Sequence, residues 1–187
     1  MTLDRQRQIE GAVCLVAFGA CIPLANWLIG NVGTVCVPQG PCLIPVAPGI
    51  TAPSGVLMVG LALVLRDLLQ RRLGAKFALV AIAVGTLISA LLAPAALVMA
   101  SAGAFLFSEL VDFAIYTPLQ RRRLVLAVFA SSAVGLVIDS VVFLLLAFGN
   151  LDFLGGQIIG KAWMVLFALP LIAWLRQRDE RIGLQPA

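Results

Sequence analysis

Apolar residues fall into six stretches along this chain, and the strongly polar residues collect between them. The stretches run from about Gly11 to Ile29, Ser54 to Leu69, Phe77 to Leu92, Ala95 to Tyr116, Leu124 to Phe148 and Gly155 to Leu175. About 20 apolar residues in a helix cross the hydrocarbon core of a bilayer, and a helix satisfies its own backbone there. The pattern predicts an all-α integral membrane protein: one domain over residues 1–187 with six transmembrane helices. At 187 residues and 61% hydrophobic content, no length remains for a soluble domain.

Charge adds an orientation. Of thirteen Lys and Arg residues, all but Lys161 lie in the N-terminal tail, around Arg66 to Lys76, at Arg121 to Arg123, or in the C-terminal tail. Basic residues favour the cytoplasmic side, so both termini are expected there, in a cell (inner) membrane. The net charge of +4 then reads as a topology signal, and no nucleic-acid partner is expected. No small-x-small cleavage site follows the first stretch, which is expected to be a retained span. The second stretch is short. It is expected to draw on the apolar part of the preceding loop, or to extend through Arg66 by snorkelling. In the third, Ala81, Gly85, Ser89 and Ala93 recur every four residues, a small-residue stripe that lets another helix approach.

The loop from Gly30 to Pro53 contains no Lys, Arg, Asp or Glu and is expected outside the cytoplasm, as a cap. Cys36 and Cys42 flank Val-Pro-Gln-Gly-Pro within it. Disulfides persist in that compartment, and the turn can bring the sulfurs together, so a disulfide-closed hairpin is predicted, with two free thiols as the alternative. Cys14 and Cys21 lie seven apart on the first helix and read as small packing residues. With no His in the chain, no metal site is expected, and no cofactor.

Apart from Arg66 and Asp67 at the end of the second stretch, four ionisable residues fall inside the predicted spans: Glu109, Asp112, Asp139 and Lys161. A charge at a helix centre costs about 2.5–3.5 kcal/mol on insertion scales, which makes each a candidate for function. Phe105, Glu109, Asp112 and Tyr116 share one helix face, and lipid cannot accept such a stripe. Ser132, Gly135, Asp139 and Phe143 form a second stripe, while Gln157 and Lys161 stand one turn apart on the sixth helix. These faces suit a flat, polar heterocycle: a carboxylate accepts two hydrogen bonds from a guanine-like edge while a ring stacks on its face. The plainer alternatives are aromatic packing and mutual neutralisation, for example Asp139 with Lys161. The P-loop, H-E-x-x-H and G-x-S-x-G patterns are all missing, and no enzyme activity is expected.

The run Ser108-Glu109-Leu110-Val111-Asp112, followed by Arg121 to Arg123, Ser131-Ser132, Asp139-Ser140 and Lys161, resembles the VUT family of vitamin uptake transporters, better described as queuosine precursor transporters. The resemblance extends from about Pro53 to Leu175, and the six-helix pattern also looks like the S-components of energy-coupling-factor transporters. It implies uptake of 7-deazaguanine bases such as 7-cyano- and 7-aminomethyl-7-deazaguanine. Glu109 and Asp112 match the family's acidic pair, Asp139 its fifth-helix acid and Lys161 its sixth-helix base. On the second helix only Asp67 and Gly74 match, which leaves the choice of ring compound open. The helix-face stripes and the resemblance together make Glu109, Asp112, Asp139, Lys161, Gln157, Phe105, Tyr116, Phe143 and Asp67 the expected substrate-binding set. The expected partners are the substrate and the bilayer; self-association and an ATPase coupling module stay open. Rival readings are a vitamin-binding S-component, a structural membrane protein whose charges pair internally, and a membrane enzyme.

Overall fold

A computed structural model describes residues 2–37 and 41–187. Six helices form the bundle: α1 (Leu3–Asn31), α2 (Val56–Leu73), α3 (Ala75–Leu92), α4 (Val98–Leu119), α5 (Leu124–Phe148) and α6 (Leu154–Ile182). Five of them are long and apolar enough to cross a membrane, α4 together with the short 3-10 turn Ala95–Leu97 that leads into it. The chain is therefore a multi-pass, all-α membrane bundle, as its apolar pattern predicts. Prolines 23, 118 and 170 lie within α1, α4 and α6. Membrane helices tolerate proline where neighbouring groups satisfy the freed backbone.

The exception is α2, whose 18 residues include Arg66, Asp67, Arg71 and Arg72. It packs against all five other helices, and twelve of its residues are buried. The bundle interior receives the polar side chains that lipid would reject. Arg66 does not snorkel, contrary to the expectation from sequence: it is 0% exposed and points into the bundle. The reason is local, because three carboxylates surround it there.

Both chain ends and the α2–α3 and α4–α5 connections meet at one end of the bundle. Arg72 pairs with Glu10 at 2.8 Å and with Asp179 at 2.7 Å; Arg71 donates to the Gln120 carbonyl, and Ala187 N–H to the Arg71 carbonyl. Helix α1 starts well before its apolar stretch, and α6 continues past its own, because both carry a partner for this charged layer.

The opposite end carries a three-stranded antiparallel sheet, β1 (Val35–Cys36), β2 (Cys42–Ala47) and β3 (Ile50–Pro53), in sequential order. Strand structure in the 30–53 segment is an addition to the expected loop. Its uncharged, β-branched residues suit strands, and Gly49 takes the positive φ, +72°, of the β2–β3 turn. Cys36 and Cys42 pair across β1 and β2 and are joined by a disulfide. Of the Pro-Gln-Gly-Pro turn expected to join them, Pro38, Gln39 and Gly40 lie outside the described residues. Trp163 Nε1 donates to the Val46 carbonyl at 2.9 Å and Ser54 Oγ to the Leu28 carbonyl at 2.7 Å, which fixes the sheet to α6 and α1.

Small residues set the helix spacing. Ala81, Gly85 and Ser89 of α3 are buried, as is Ala93 just past its end, and Gly85 receives the Phe105 ring of α4. At Gly60 a Cβ would stand 2.5 Å from the Lys161 carbonyl oxygen, so α2 and α6 touch backbone to backbone there.

Candidate functional site

A cavity of about 100 Å³ lies among all six helices, at the end of the bundle that carries the sheet. Its rim includes Ile29, Pro53, Gly55, Pro94 and Leu97, and its sides include Met58, Val59 and Ala62 of α2 together with Phe105 and Phe143. The expected site between helices four, five and six is thus widened by α1, α2 and α3. Phe105 is held from behind by Phe18, 5.9 Å between ring centres.

The polar wall is built from Ser108 and Glu109 of α4, Asp139 of α5, and Gln157 and Lys161 of α6. Lys161 is 1% exposed and uses all three donors: Nζ lies 2.6 Å from Asp139 Oδ2, 2.6 Å from Gln157 Oε1 and 2.8 Å from Ser140 Oγ. A buried ammonium fully surrounded by acceptors is stable, and here it also orients them. Gln157 accepts through its oxygen, so its amide N–H groups remain as donors. Asp139 Oδ1 takes only a long contact from Ser108 Oγ, 3.5 Å, and remains an acceptor. Glu109 accepts from Arg66 Nε through Oε2 at 2.9 Å, and among the described residues no hydrogen bond reaches its Oε1.

Behind Glu109 a second layer is centred on Arg66. Its Nη1 lies 2.7 Å from Asp67 Oδ1 and its Nη2 2.6 Å from Asp112 Oδ1, and its guanidinium carbon stands 5.9 Å from the centre of the Tyr116 ring. Nη1 also donates to Gln70 Oε1 at 3.2 Å, Gln70 donates to Thr117 Oγ1, and Ser131 Oγ donates to Asp67 Oδ2 at 3.0 Å. The rigid fork of a guanidinium suits three carboxylates on two helices better than an ammonium would.

The residues picked out from sequence therefore divide. Phe105, Glu109, Asp139, Phe143, Gln157 and Lys161 line the cavity; Asp67, Asp112 and Tyr116 do not, and sit in the layer beneath. Sequence reasoning missed Arg66 and the cavity-lining Asn26 of α1. A signal for Arg66 existed: the acids assigned to the interior exceed the single Lys161, and Arg66 is the basic residue of α2 nearest the middle of the chain's second span. Asn26 carried no such signal.

A family model described as "Putative vitamin uptake transporter" matches residues 89–175, just under half of the chain. No curated protein and no solved structure matches the chain at a significant level. The matched stretch runs from the end of α3 into α6 and carries Glu109, Asp112, Asp139, Gln157 and Lys161, while Arg66 and Asp67 precede it. Over residues 89–175 the chain is similar to that family, and the six-helix membrane bundle with its polar interior cavity suits a transporter.

Proposed function

We propose that the chain is an uptake transporter for queuosine precursors, 7-cyano-7-deazaguanine or its aminomethyl analogue, oriented with both termini in the cytoplasm and bound to the base through its interior cavity. The observation that carries this reading is the unspent hydrogen-bonding capacity of the polar wall. Asp139 Oδ1 and Glu109 Oε1 are acceptors for the ring N–H and exocyclic amine of a guanine-like edge. The Gln157 amide is a donor for its carbonyl. Phe105 and Phe143 border the same cavity and supply apolar contact for a flat ring. Lys161 acts by holding Asp139 and Gln157 in place. The disulfide-closed sheet stiffens the rim from outside.

Titrating the detergent-purified protein with both deazaguanines, guanine and a panel of vitamins, while following thermal unfolding, tests the reading, because a ligand that binds only the folded state raises apparent stability. Saturable stabilisation by a deazaguanine, weakened in Glu109→Gln and in Asp139→Asn, is the expected result. Stabilisation by a vitamin alone keeps the cavity and replaces the substrate. Co-purification with an ATPase pair identifies a vitamin-type S-component instead.

A further inference from the structure

The layer beneath the cavity holds more negative groups than positive ones. Arg66, Asp67 and Asp112 are each 0% exposed and Glu109 is 1% exposed, so three carboxylates share one guanidinium, and of them Glu109 alone reaches the cavity. Neighbouring charges do not correct the imbalance. Arg71, the next cation on α2, is engaged by Asp179 at 3.3 Å, and Lys161 of α6 is taken by Asp139 of α5. Helix α5 presents Ser131, Ser132 and Gly135 here, and α4 adds the neutral Tyr116. Helices α1 and α3 have no Asp, Glu, Lys or Arg at this depth. An uncompensated buried carboxylate is so costly that the group takes up a proton instead.

Unpartnered polar atoms in the same place support an occupant. Among the described residues Asp112 Oδ2 has no hydrogen-bond partner, nor do the Tyr116 hydroxyl and Ser132 Oγ, and Tyr116 and Ser132 are both 0% exposed. Asp112 Oδ2 faces α5, 3.3 Å from where a Cβ on Gly135 would be, and Ser132 lies one turn from Gly135 on that helix. Among the described residues no three Asp, Glu, Cys or His side chains converge on a single metal position. The ligand that fits scattered, partly bonded oxygens is hydrogen ions.

We infer that Asp67 and Asp112, which share the Arg66 guanidinium with Glu109, form a proton-binding site whose occupancy is coupled to the cavity through Glu109. The coupling rests on the transporter reading above; the proton site does not. Glu109 belongs to both layers, with one oxygen on Arg66 and the other free. A ligand that engages the free oxygen favours the Glu109 anion and its bond to Arg66. Arg66 then shares less of its charge with Asp67 and Asp112, and these hold their protons more tightly. Loading of the cavity and of the proton site thereby assist each other, as linked binding must in both directions.

Infrared spectroscopy of the purified protein at neutral pH tests the site without any substrate. The carbonyl stretch of protonated carboxylic acid is expected in the wild type and is expected to shrink in Asp67→Asn and in Asp112→Asn, each checked for a monodisperse, cooperatively melting protein. Because each variant replaces a group that can already be neutral, both are expected to fold. Absence of that band in the wild type overturns the site. For the coupling, 7-cyano-7-deazaguanine uptake into proteoliposomes is measured under an inward proton gradient, where one pH unit supports up to about tenfold accumulation per proton carried. Gradient-driven accumulation that Asp112→Asn, at a residue outside the cavity wall, abolishes while saturable ligand stabilisation persists supports the coupling. Uptake indifferent to the proton gradient, or driven by sodium, overturns it and leaves the substrate intact. A band without any uptake supports the proton site and refutes the substrate.

Discussion

Arg66 reaches from α2 to α4 and places Nη2 2.6 Å from Asp112 Oδ1, with both side chains fully buried. The same guanidinium holds Asp67 and Glu109, so one cation organises the centre of the bundle. Removing one partner of a buried ion pair costs about 3–5 kcal/mol, since the other charge stays buried without compensation. Arg66→Met is therefore expected to melt far below the wild type or to fail to yield monodisperse protein. Arg66→Lys keeps the charge and loses the fork, and is expected to fall between the two. Thermal unfolding in detergent measures both, and a melting point for Arg66→Met equal to that of the wild type contradicts a central role.

Gly60 sets a second dependence. A methyl group there meets the Lys161 carbonyl oxygen at 2.5 Å and its Cα at 2.8 Å, and neither backbone atom can swing aside. Overpacking at a tight contact costs roughly 1–3 kcal/mol. Gly60→Ala is expected to lower stability by that order and to displace Lys161, so ligand affinity falls even though Gly60 does not line the cavity. Gly19 on α1 has open space around it, and Gly19→Ala serves as the neutral control in the same melting and binding assays.

The sheet end yields a third expectation. The Cys36–Cys42 bond closes a very short loop, for which the chain-entropy estimate is about 2 kcal/mol. Cys36→Ser/Cys42→Ser is expected to loosen β1 and β2 and to leave the bundle folded, because the bundle's buried clusters lie largely on the helices. Limited proteolysis near residue 37 is expected to speed up while the global melting point changes little. In the wild type, alkylation without reduction is expected to modify only Cys14 and Cys21, by mass spectrometry.

How far the sequence reached follows from what each signal depends on. Apolar periodicity and the grouping of charge are local, so the six helices and the membrane class could be read directly. Glu109, Asp139 and Lys161 stood out because a single charge in a long apolar run needs a reason wherever its helix sits. Arg66 was hidden because it stands five and six residues from Arg71 and Arg72, and only the packing of α2 in the middle of the bundle separates it from that end layer. Asp112 and Tyr116 share a stripe with Glu109, yet helix rotation and the Arg66 contact place them below the cavity instead of in its wall. Those differences arise from how six helices pack, which no single segment encodes. The strands of the 30–53 segment were missed because its prolines and glycines dominate a loop reading.

The contact between Lys161 and Asp139 separates structure from recognition. Their 2.6 Å pair closes the α5–α6 interface and also orients a cavity acceptor, so stability and binding are joined in one bond. Lys161→Met leaves Asp139 with no cation, and Asp139→Leu leaves the ammonium against only Gln157 and Ser140. Each single change is expected to destabilise by about 3–5 kcal/mol, whereas the double change replaces the pair with apolar volume and is expected to recover most of that loss. Binding is expected to behave differently. The double variant lacks the Asp139 acceptor and the ammonium that orients Gln157, so saturable ligand stabilisation should stay weak even where the melting point returns. Measuring the melting point with and without ligand across all four proteins of the cycle reads both quantities together. Recovered stability with recovered affinity assigns the pair to the bundle alone; recovered stability with lost affinity places it in the recognition wall.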